Sequence, residues 1–310
     1  MDPRGLPDGL TSRPASREDV AEITELIAAC ELDLDGEAEI DPGDVEMAFG
    51  QAGYDPALDC VLVFDGDELV GWAEVHDTRG EADTRPSHRG RGIGTALLRW
   101  TEDRAREAGR RSVDQMVTDT NVAAAALFRR NGYGPTETAW LLQIRFDDGP
   151  PPEPSQPEGI TIRPFERGRD ERAAYHVIED AFTEWIDRTP QSFEEWVSQF
   201  PAHPAFAPEL SPLAFAGDEL VGAITYLDYP DADEGWVQQL ATKASHRHRG
   251  IARALLHTAF GAAYASGKRA CGLSTNSRTG ALSLYEKVGM HVRRSYTRWS
   301  KPLLPRAPVA

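Results

Sequence analysis

Arg247-His248-Arg249-Gly250-Ile251-Ala252 follows the strand-like stretch Trp236 to Thr242 and opens a stretch in which Ile251, Ala254, Leu255, Thr258 and Ala259 recur at i, i+3, i+4, i+7 and i+8. The first pattern is that of a strand and the second is the stripe of an amphipathic helix, so the six residues make a strand-to-helix turn. The first amides of such a helix have no partner within it, and the helix dipole adds roughly half a positive charge at that end. Gly250 and Ala252 leave the backbone open to close approach, and His246, Arg247, His248, Arg249 and Arg253 make the turn basic. The pattern predicts an anion cradle suited to a diphosphate. Arg89-Gly90-Arg91-Gly92-Ile93-Gly94, preceded by His88, repeats it in the first half of the chain.

The repeat extends outward from these turns. Phe64-Asp65-Gly66-Asp67-Glu68-Leu69-Val70-Gly71 recurs as Phe215-Ala216-Gly217-Asp218-Glu219-Leu220-Val221-Gly222, Arg13-Pro14 as Arg163-Pro164, and Leu127-Phe128 with Gly132 as Leu284-Tyr285 with Gly289. Four matches in one order predict two copies of one fold. Between them, the proline-rich segment 147–159 has no apolar residue outside proline and reads as a semi-rigid linker. In the second copy Ile160 to Phe165 reads as a strand, and helical stretches follow from Asp170 to Ile186 and from Phe193 to Phe200. A hairpin turns at Ala216-Gly217-Asp218-Glu219, Ala270 to Leu273 is a buried strand, Ala281 to Val288 is a short helix closed by Gly289, and strands from His291 to Trp299 finish the copy. Each half is thus a mixed α/β unit with a central sheet and about four helices.

The chain has 310 residues, about two domains by length. Its 50 acidic and 33 basic side chains leave a formal charge of −17, which argues against a nucleic-acid partner. No stretch is long and apolar enough to span a membrane, and the N-terminus lacks the pattern of a secretory signal. Cys30, Cys60 and Cys271 are odd in number and lack metal-ligand spacing, so no metal site is expected; reduced thiols in a cytoplasmic protein are.

The two turns resemble the hallmark of the GNAT superfamily of N-acetyltransferases, Arg/Gln-x-x-Gly-x-Gly/Ala after the fourth strand. Arg89-x-x-Gly92-x-Gly94 and Arg247-x-x-Gly250-x-Ala252 both fit it, and the superfamily's downstream Tyr-x-x-x-Gly-Φ segment is matched by Tyr285-Glu286-Lys287-Val288-Gly289-Met290. The first copy has Phe128-Arg129-Arg130-Asn131-Gly132-Tyr133 there. The resemblance implies two tandem GNAT-fold domains, 1–146 and 160–310, joined by the linker 147–159. Each would be a mostly antiparallel sheet flanked by helices, in an architecture similar to that of mycothiol synthase.

The resemblance also implies acetyl-CoA as the cofactor. In the second half its pyrophosphate would lie on Arg247, His248, Arg249, Gly250, Ile251, Ala252 and Arg253. Its pantetheine would run along Leu240, Ala241 and Thr242, with the Leu240 amide polarising the thioester carbonyl. The counterparts in the first half are Arg89, Gly90, Arg91, Gly92, Ile93, Gly94 and Thr95, with Ala82, Asp83 and Thr84. Family members often place an asparagine seven residues before the tyrosine. Asn121 holds that place before Phe128, whereas Arg278 holds it before Tyr285 and Asn276 is the nearest asparagine.

Tyr285 has a phenol where Phe128 has only hydrogen. A phenol can protonate or hydrogen-bond a departing thiolate; a tyrosine that merely fills a helix–sheet gap is the other reading. The difference predicts catalysis in the second half, with the first catalytically degenerate. The polar stretch Glu81-Ala82-Asp83 sets two carboxylates beside the first half's phosphate turn, which agrees. For a general base, Gln238 and Gln239 stand where a glutamate would suit best, so Glu234 is the nearest candidate carboxylate. Phe182, Trp185, Phe193 and Trp196, interleaved with Glu179, Asp180, Glu184, Asp187, Glu194 and Glu195, form either a solvated amphipathic helix pair or an aromatic, acidic pocket for a cationic amine.

The function expected is acetyl-CoA-dependent N-acetylation of a small-molecule amine by a monomer or homodimer. Acetylation of a protein N-terminus or lysine, use of a longer acyl-CoA, and a non-catalytic acyl-CoA sensor are the alternatives.

Overall fold

The computed structural model describes residues 2–51, 53–183, 190–230 and 232–303. The chain forms two compact units. Unit 1 runs to Thr138 and resumes at Tyr296, and unit 2 is Ala139–Ser295.

Unit 1 begins with β1 (Leu10–Pro14), α1 (Val20–Asp35), α2 (Pro42–Phe49) and α3 (Pro56–Asp59). Strands β2 (Cys60–Asp65), β3 (Glu68–His76) and β4 (Arg79–Thr84) follow, then α4 (Ile93–Glu107), β5 (Ser112–Thr118) and α5 (Val122–Arg130). Strand β6 (Gly134–Arg145) starts in unit 1 and ends in unit 2. In unit 2, β7 (Ile160–Pro164), α6 (Glu171–Phe182), α7 (Phe193–Gln199), β8 (Pro212–Ala216), β9 (Glu219–Leu227) and β10 (Glu234–Thr242) precede α8 (Ile251–Ala265), β11 (Ala270–Asn276) and α9 (Leu282–Lys287). Strand β12 (His291–Pro302) starts there and ends in unit 1. In both units the first four strands pair antiparallel in sequence order, and the fifth lies parallel to the fourth.

The repeated motifs have the same work in each unit. Arg13 grips Asp19 through both carboxylate oxygens, at 2.8 and 2.6 Å, and stacks 5.0 Å from the Phe64 ring. Arg163 does the same with Asp170, at 2.6 and 2.7 Å, over Phe215 at 4.5 Å. Each arginine therefore pins the first strand to the entry of the first helix with a bidentate pair. The glycine that ends each Leu-Val-Gly repeat lets a helix approach the sheet. A Cβ at Gly71 would fall 3.0 Å from Ile93, and one at Gly222 would fall 3.0 Å from both Ile251 and Leu255. Apolar clusters fill both faces of each sheet, around Trp100 and Leu97 or Ile23 and Leu26 in unit 1, and around Phe260 and Leu255 or Ile178 and Trp196 in unit 2.

The compact units differ from a division at the proline-rich segment. The sheet of unit 2 is completed by Ala139–Arg145, which pairs antiparallel with Asn276–Ala270, and that of unit 1 by Tyr296–Pro302, which pairs with Thr118–Ser112. Each half of the chain hands the end of its last strand to the other unit. Segment 147–159 is irregular and mostly exposed, as its composition predicts, but it follows the crossing point. The helix expected to reach Ile186 ends at Phe182, and residues 184–189 lie outside those described. Among the described residues, no helix is long and apolar enough to cross a membrane.

Candidate active site

Strands β10 and β11 pair only at Glu234↔Ala270, Gly235↔Cys271 and Trp236↔Gly272, although both continue well beyond. Gly272 is the hinge of this fork: a Cβ there would lie 2.7 Å from the Trp236 ring, so the indole sits directly over its backbone. One residue further on, the β9–β10 ladder shifts register between Val237 and Gln239. The extra residue, Gln238, forms a bulge, which bends and twists β10 away from its parallel neighbour. The result is a cleft of about 880 Å³, walled by Leu240–Thr242 on one side and by Ser274, Thr275 and Tyr285 on the other.

Lys243 N–H donates to the Val221 carbonyl at 2.9 Å, which fixes the alternation of β10. Amides two residues apart point the same way, so those of Ala241 and Lys243 face β9 while those of Leu240 and Thr242 face the cleft. The outward Thr242 carbonyl accepts from Arg247 Nε at 3.2 Å, in keeping with that direction.

The basic turn closes one end. His248 and Gly250 both adopt left-handed backbone, with φ of 62° and 81°. A left-handed histidine is strained where unit 1 has Gly90, at 78°. Alternating left-handed residues at a helix start curl successive N–H groups into a concave anion site. His246, Arg247, His248, Gly250, Ile251, Ala252 and Arg253 line the cleft. Arg249 does not; its guanidinium donates to the Glu158 carbonyl at 3.2 Å.

Tyr285 is 8% exposed and lines the cleft wall. Burial pushes its phenol up to about 12, with a hydrogen bond to Thr275 acting in the opposite sense. Asn276 also lines the cleft, its Oδ1 accepting from the Arg278 amide at 3.1 Å in a local turn.

Unit 1 has a smaller version. Strands β4 and β5 pair only at Arg79↔Asp114 and Gly80↔Gln115, and the cleft beyond has about 370 Å³. The β3–β4 ladder runs from Gly71↔Thr84 to His76↔Arg79 without the bulge. Ala82, Asp83, Thr84, Arg89, Gly90, Gly92, Gly94, Thr95 and Asn121 line this cleft; Arg91 and Ile93 do not. Arg91 pairs with Asp65 at 3.1 Å, Ile93 is core, and Arg89 is paired with Asp33. Burial, reinforced by Glu81, raises Asp83 to about 7. Asn121 Oδ1 caps α5 through the Ala124 amide at 3.0 Å. Phe128 packs against Tyr133 and Trp299, with ring centroids at 5.6 and 6.1 Å.

Residues 20–133 and 171–290 match the acetyltransferase (GNAT) family. The chain belongs to that family. It is 30% identical to the mycothiol acetyltransferase of Thermobispora bispora over 79% of this chain and 82% of that protein. The mycothiol acetyltransferase of Catenulispora acidiphila is 28% identical over 94% and 97% of the two chains. Among solved structures, a GCN5-related N-acetyltransferase from Sphaerobacter thermophilus superposes with a TM-score of 0.81 at 32% identity, covering 98% of this chain and 99% of that one. A tandem GNAT protein from the clavulanic acid biosynthesis pathway shares the fold, with a TM-score of 0.68 at 16% identity over 96% of this chain and all of that one. The protein is thus a tandem GNAT acyltransferase that uses an acyl-CoA.

Two expectations for this GNAT site change with the structure. Glu234 stands at the paired end of the fork, away from the cleft, where Arg293 bonds it at 3.4 Å; it is not placed to serve as a base. The aromatic and acidic residues form an amphipathic helix pair instead of a pocket, with Asp180, Glu194 and Glu195 exposed. Trp196 is fully buried, and Phe193 packs on Tyr175 beneath Arg172, 4.2 Å from its ring. Buried Glu179 accepts from the Gln191 amide at 3.0 Å. Phe182 lines the cleft; Glu184, Trp185 and Asp187 lie outside the described residues. Sequence reasoning missed the cleft residues Ser274, Thr275 and Ala181, small side chains with no chemical signature, and the orientation of Gln239.

Proposed function

We propose that unit 2 transfers an acetyl group from acetyl-CoA to the amino group of a small molecule, and that unit 1 does not turn over. The observation that carries this reading is the meeting, in one cleft, of an outward Leu240 amide, the left-handed basic turn and the Tyr285 phenol. The residues suit the cofactor: nothing lies within 4 Å of a Cβ built at Gly250, so the turn is open to a ligand, and Arg247 and Arg253 supply positive charge beside it. Acetyl-CoA brings an acetyl group activated as a thioester. Arg247, Arg253 and the turn's amides hold the diphosphate. Leu240 and Thr242 offer strand-like hydrogen bonds to the pantetheine amides, and Leu240 N–H polarises the thioester carbonyl. Tyr285 Oη donates a hydrogen bond to the departing sulfur, which leaves carrying negative charge.

Unit 1 keeps a left-handed basic turn but departs at three other points: no bulge, Phe128 for Tyr285, and Asp83 where Ala241 stands in unit 2. Similarity to mycothiol acetyltransferases supports a small acceptor in preference to a protein. The three cysteines are buried and unpaired, in keeping with a cytoplasmic setting. The test is thiol release from acetyl-CoA with a panel of small amines, amino sugars and lysine-containing peptides. The reading requires turnover with small amines; turnover with peptides alone would refute it.

A further inference from the structure

Gln239 is 7% exposed, yet it lines the cleft beside Leu240. Its Oε1 accepts two hydrogen bonds, from Trp196 Nε1 at 3.0 Å and from Thr225 Oγ1 at 3.2 Å, and both donors are fully buried. An indole nitrogen can only donate, so the carboxamide cannot be turned over: its oxygen faces Trp196. The Nε2 amino group has no hydrogen-bond partner among the described residues, nor is it one of the sealed, unpartnered polar atoms. Gln239 borders the cleft, and its two N–H groups, without a partner among the described residues, are free to donate there.

From this geometry we infer that Gln239 reads the acceptor, and that the amine acetylated in unit 2 carries a hydroxyl or carbonyl oxygen close to its amino nitrogen. The inference rests on acetyl transfer to a small amine in unit 2. An NH₂ group can only donate: it repels an ammonium and offers nothing to a hydrocarbon, but it bonds an oxygen lone pair. Gln239 directly precedes Leu240, whose amide faces the reacting carbonyl, which brings the donor next to the acceptor amine. Trp196 and Thr225 act through it as positioning residues. In unit 1 the matching strand positions are Glu81 and Glu74, which can present no such donor when ionised.

The full-length protein is assayed with acetyl-CoA and two amines of matched ring size, glucosamine and cyclohexylamine, and their kcat/KM ratio is compared across variants so that their different basicities cancel. Gln239→Met keeps length without donors and is expected to lower the ratio by about 10–100-fold, chiefly through glucosamine, because a site built to bond a substrate oxygen discriminates strongly. Gln239→Glu keeps an oxygen for Trp196 and Thr225 and should lower the ratio likewise, which covers the case of a misfolded methionine variant. Trp196→Phe unlocks the carboxamide; KM for glucosamine should rise about 3–10-fold with kcat and the cyclohexylamine kinetics little changed. A ratio that stays constant in both Gln239 variants overturns the inference while leaving acetyl transfer standing. If the wild-type protein acetylates neither these two nor any other small amine of the panel, the small-amine reading fails and the inference with it.

Discussion

Replacing Tyr285 by Phe removes one hydroxyl and makes unit 2 match unit 1 at this position. The side chain is 8% exposed and its ring packs in the α8-side core, so folding should change little. The effect on rate follows from the phenol's environment. A thiol released from a thioester has a pKa near about 8.5, by the cysteine reference, whereas burial holds Tyr285 at about 12. Complete proton transfer to the departing thiolate would then be uphill by about 5 kcal/mol, at 1.36 kcal/mol for each pKa unit. On the proposed mechanism the phenol's role is therefore a hydrogen bond to developing negative charge, and such bonds contribute about 1.5–3 kcal/mol. That corresponds to a loss of about 10–150-fold in kcat, below the 10²–10⁴-fold of a general acid that gives up its proton fully. KM for acetyl-CoA should move little, because the bond strengthens as charge develops on sulfur.

The same elevation decides the pH profile. An acid with a raised pKa keeps its proton to higher pH, so Tyr285 stays a donor from about pH 6 to pH 10 and contributes no basic limb there. Steady-state thiol-release kinetics over that range should give parallel profiles for the wild-type and Tyr285→Phe proteins, offset by the loss in kcat. Near wild-type kcat in the variant would return Tyr285 to a packing role. A basic limb near pH 8–9 that vanishes in the variant would refute the buried, elevated phenol.

Arg247→Glu should raise KM for acetyl-CoA at least about 10-fold, since it replaces a cleft cation with an anion at the diphosphate, whereas Arg249→Glu should change it less than about 3-fold; comparable effects would show the turn misassigned. In unit 1, burial and Glu81 raise Glu74 from 4.5 to about 7 while Tyr54 Oη donates to it at 2.7 Å. The folded state then binds this proton more tightly than the unfolded one, so stability falls as pH rises from about 4.5 to 7 and the penalty is complete above 7. Glu74→Gln should accordingly raise stability by up to about 3 kcal/mol at pH 8 and change little at pH 5, a difference that denaturant melts at the two pH values would reveal. A fragment spanning 160–310 lacks Ala139–Arg145 and leaves β11 unpaired on one side, so by circular dichroism it should melt without a cooperative transition, whereas 139–310 should retain one; equal melting would count against the exchanged strand.

Much of this site was legible in the sequence because its parts are local. The basic turn is a short motif whose glycine and helix start follow from the hydrophobic period, and Tyr285 against Phe128 is a single-position difference inside a repeat. What stayed hidden depends on register and direction. The apolar pattern of Trp140 to Phe146 shows that the segment is buried, but no pattern says in which sheet, because strand pairing joins residues far apart in the chain. The bulge at Gln238 is one uncounted residue in a ladder. Arg247 and Arg249 look equivalent in sequence, yet left-handed His248 between them turns one toward Thr242 and the other toward Glu158. Trp196 is aromatic in a core or in a pocket alike; only its bond to Gln239 shows that it holds a cleft residue in place.

If turnover is confined to unit 2, as proposed, the exchanged strands give unit 1 a structural reason to persist. The wall of the unit 2 cleft that carries Ser274, Thr275 and Asn276 is β11, and β11 pairs with β10 over only three residues before the fork opens. Beyond the fork one edge of β11 borders the open cleft, so its position must be fixed from the other edge. That edge is held along its whole length by Ala139–Arg145, with Leu142 and Ile144 buried in the same cluster as Tyr285. An open cleft between parallel strands is stable only where the free strand has a second partner, and here that partner is the end of the first half's last strand. On the proposal that only unit 2 turns over, Phe128, Asp83 and the missing bulge cost unit 1 its chemistry but not its fold, which is still needed to deliver that strand.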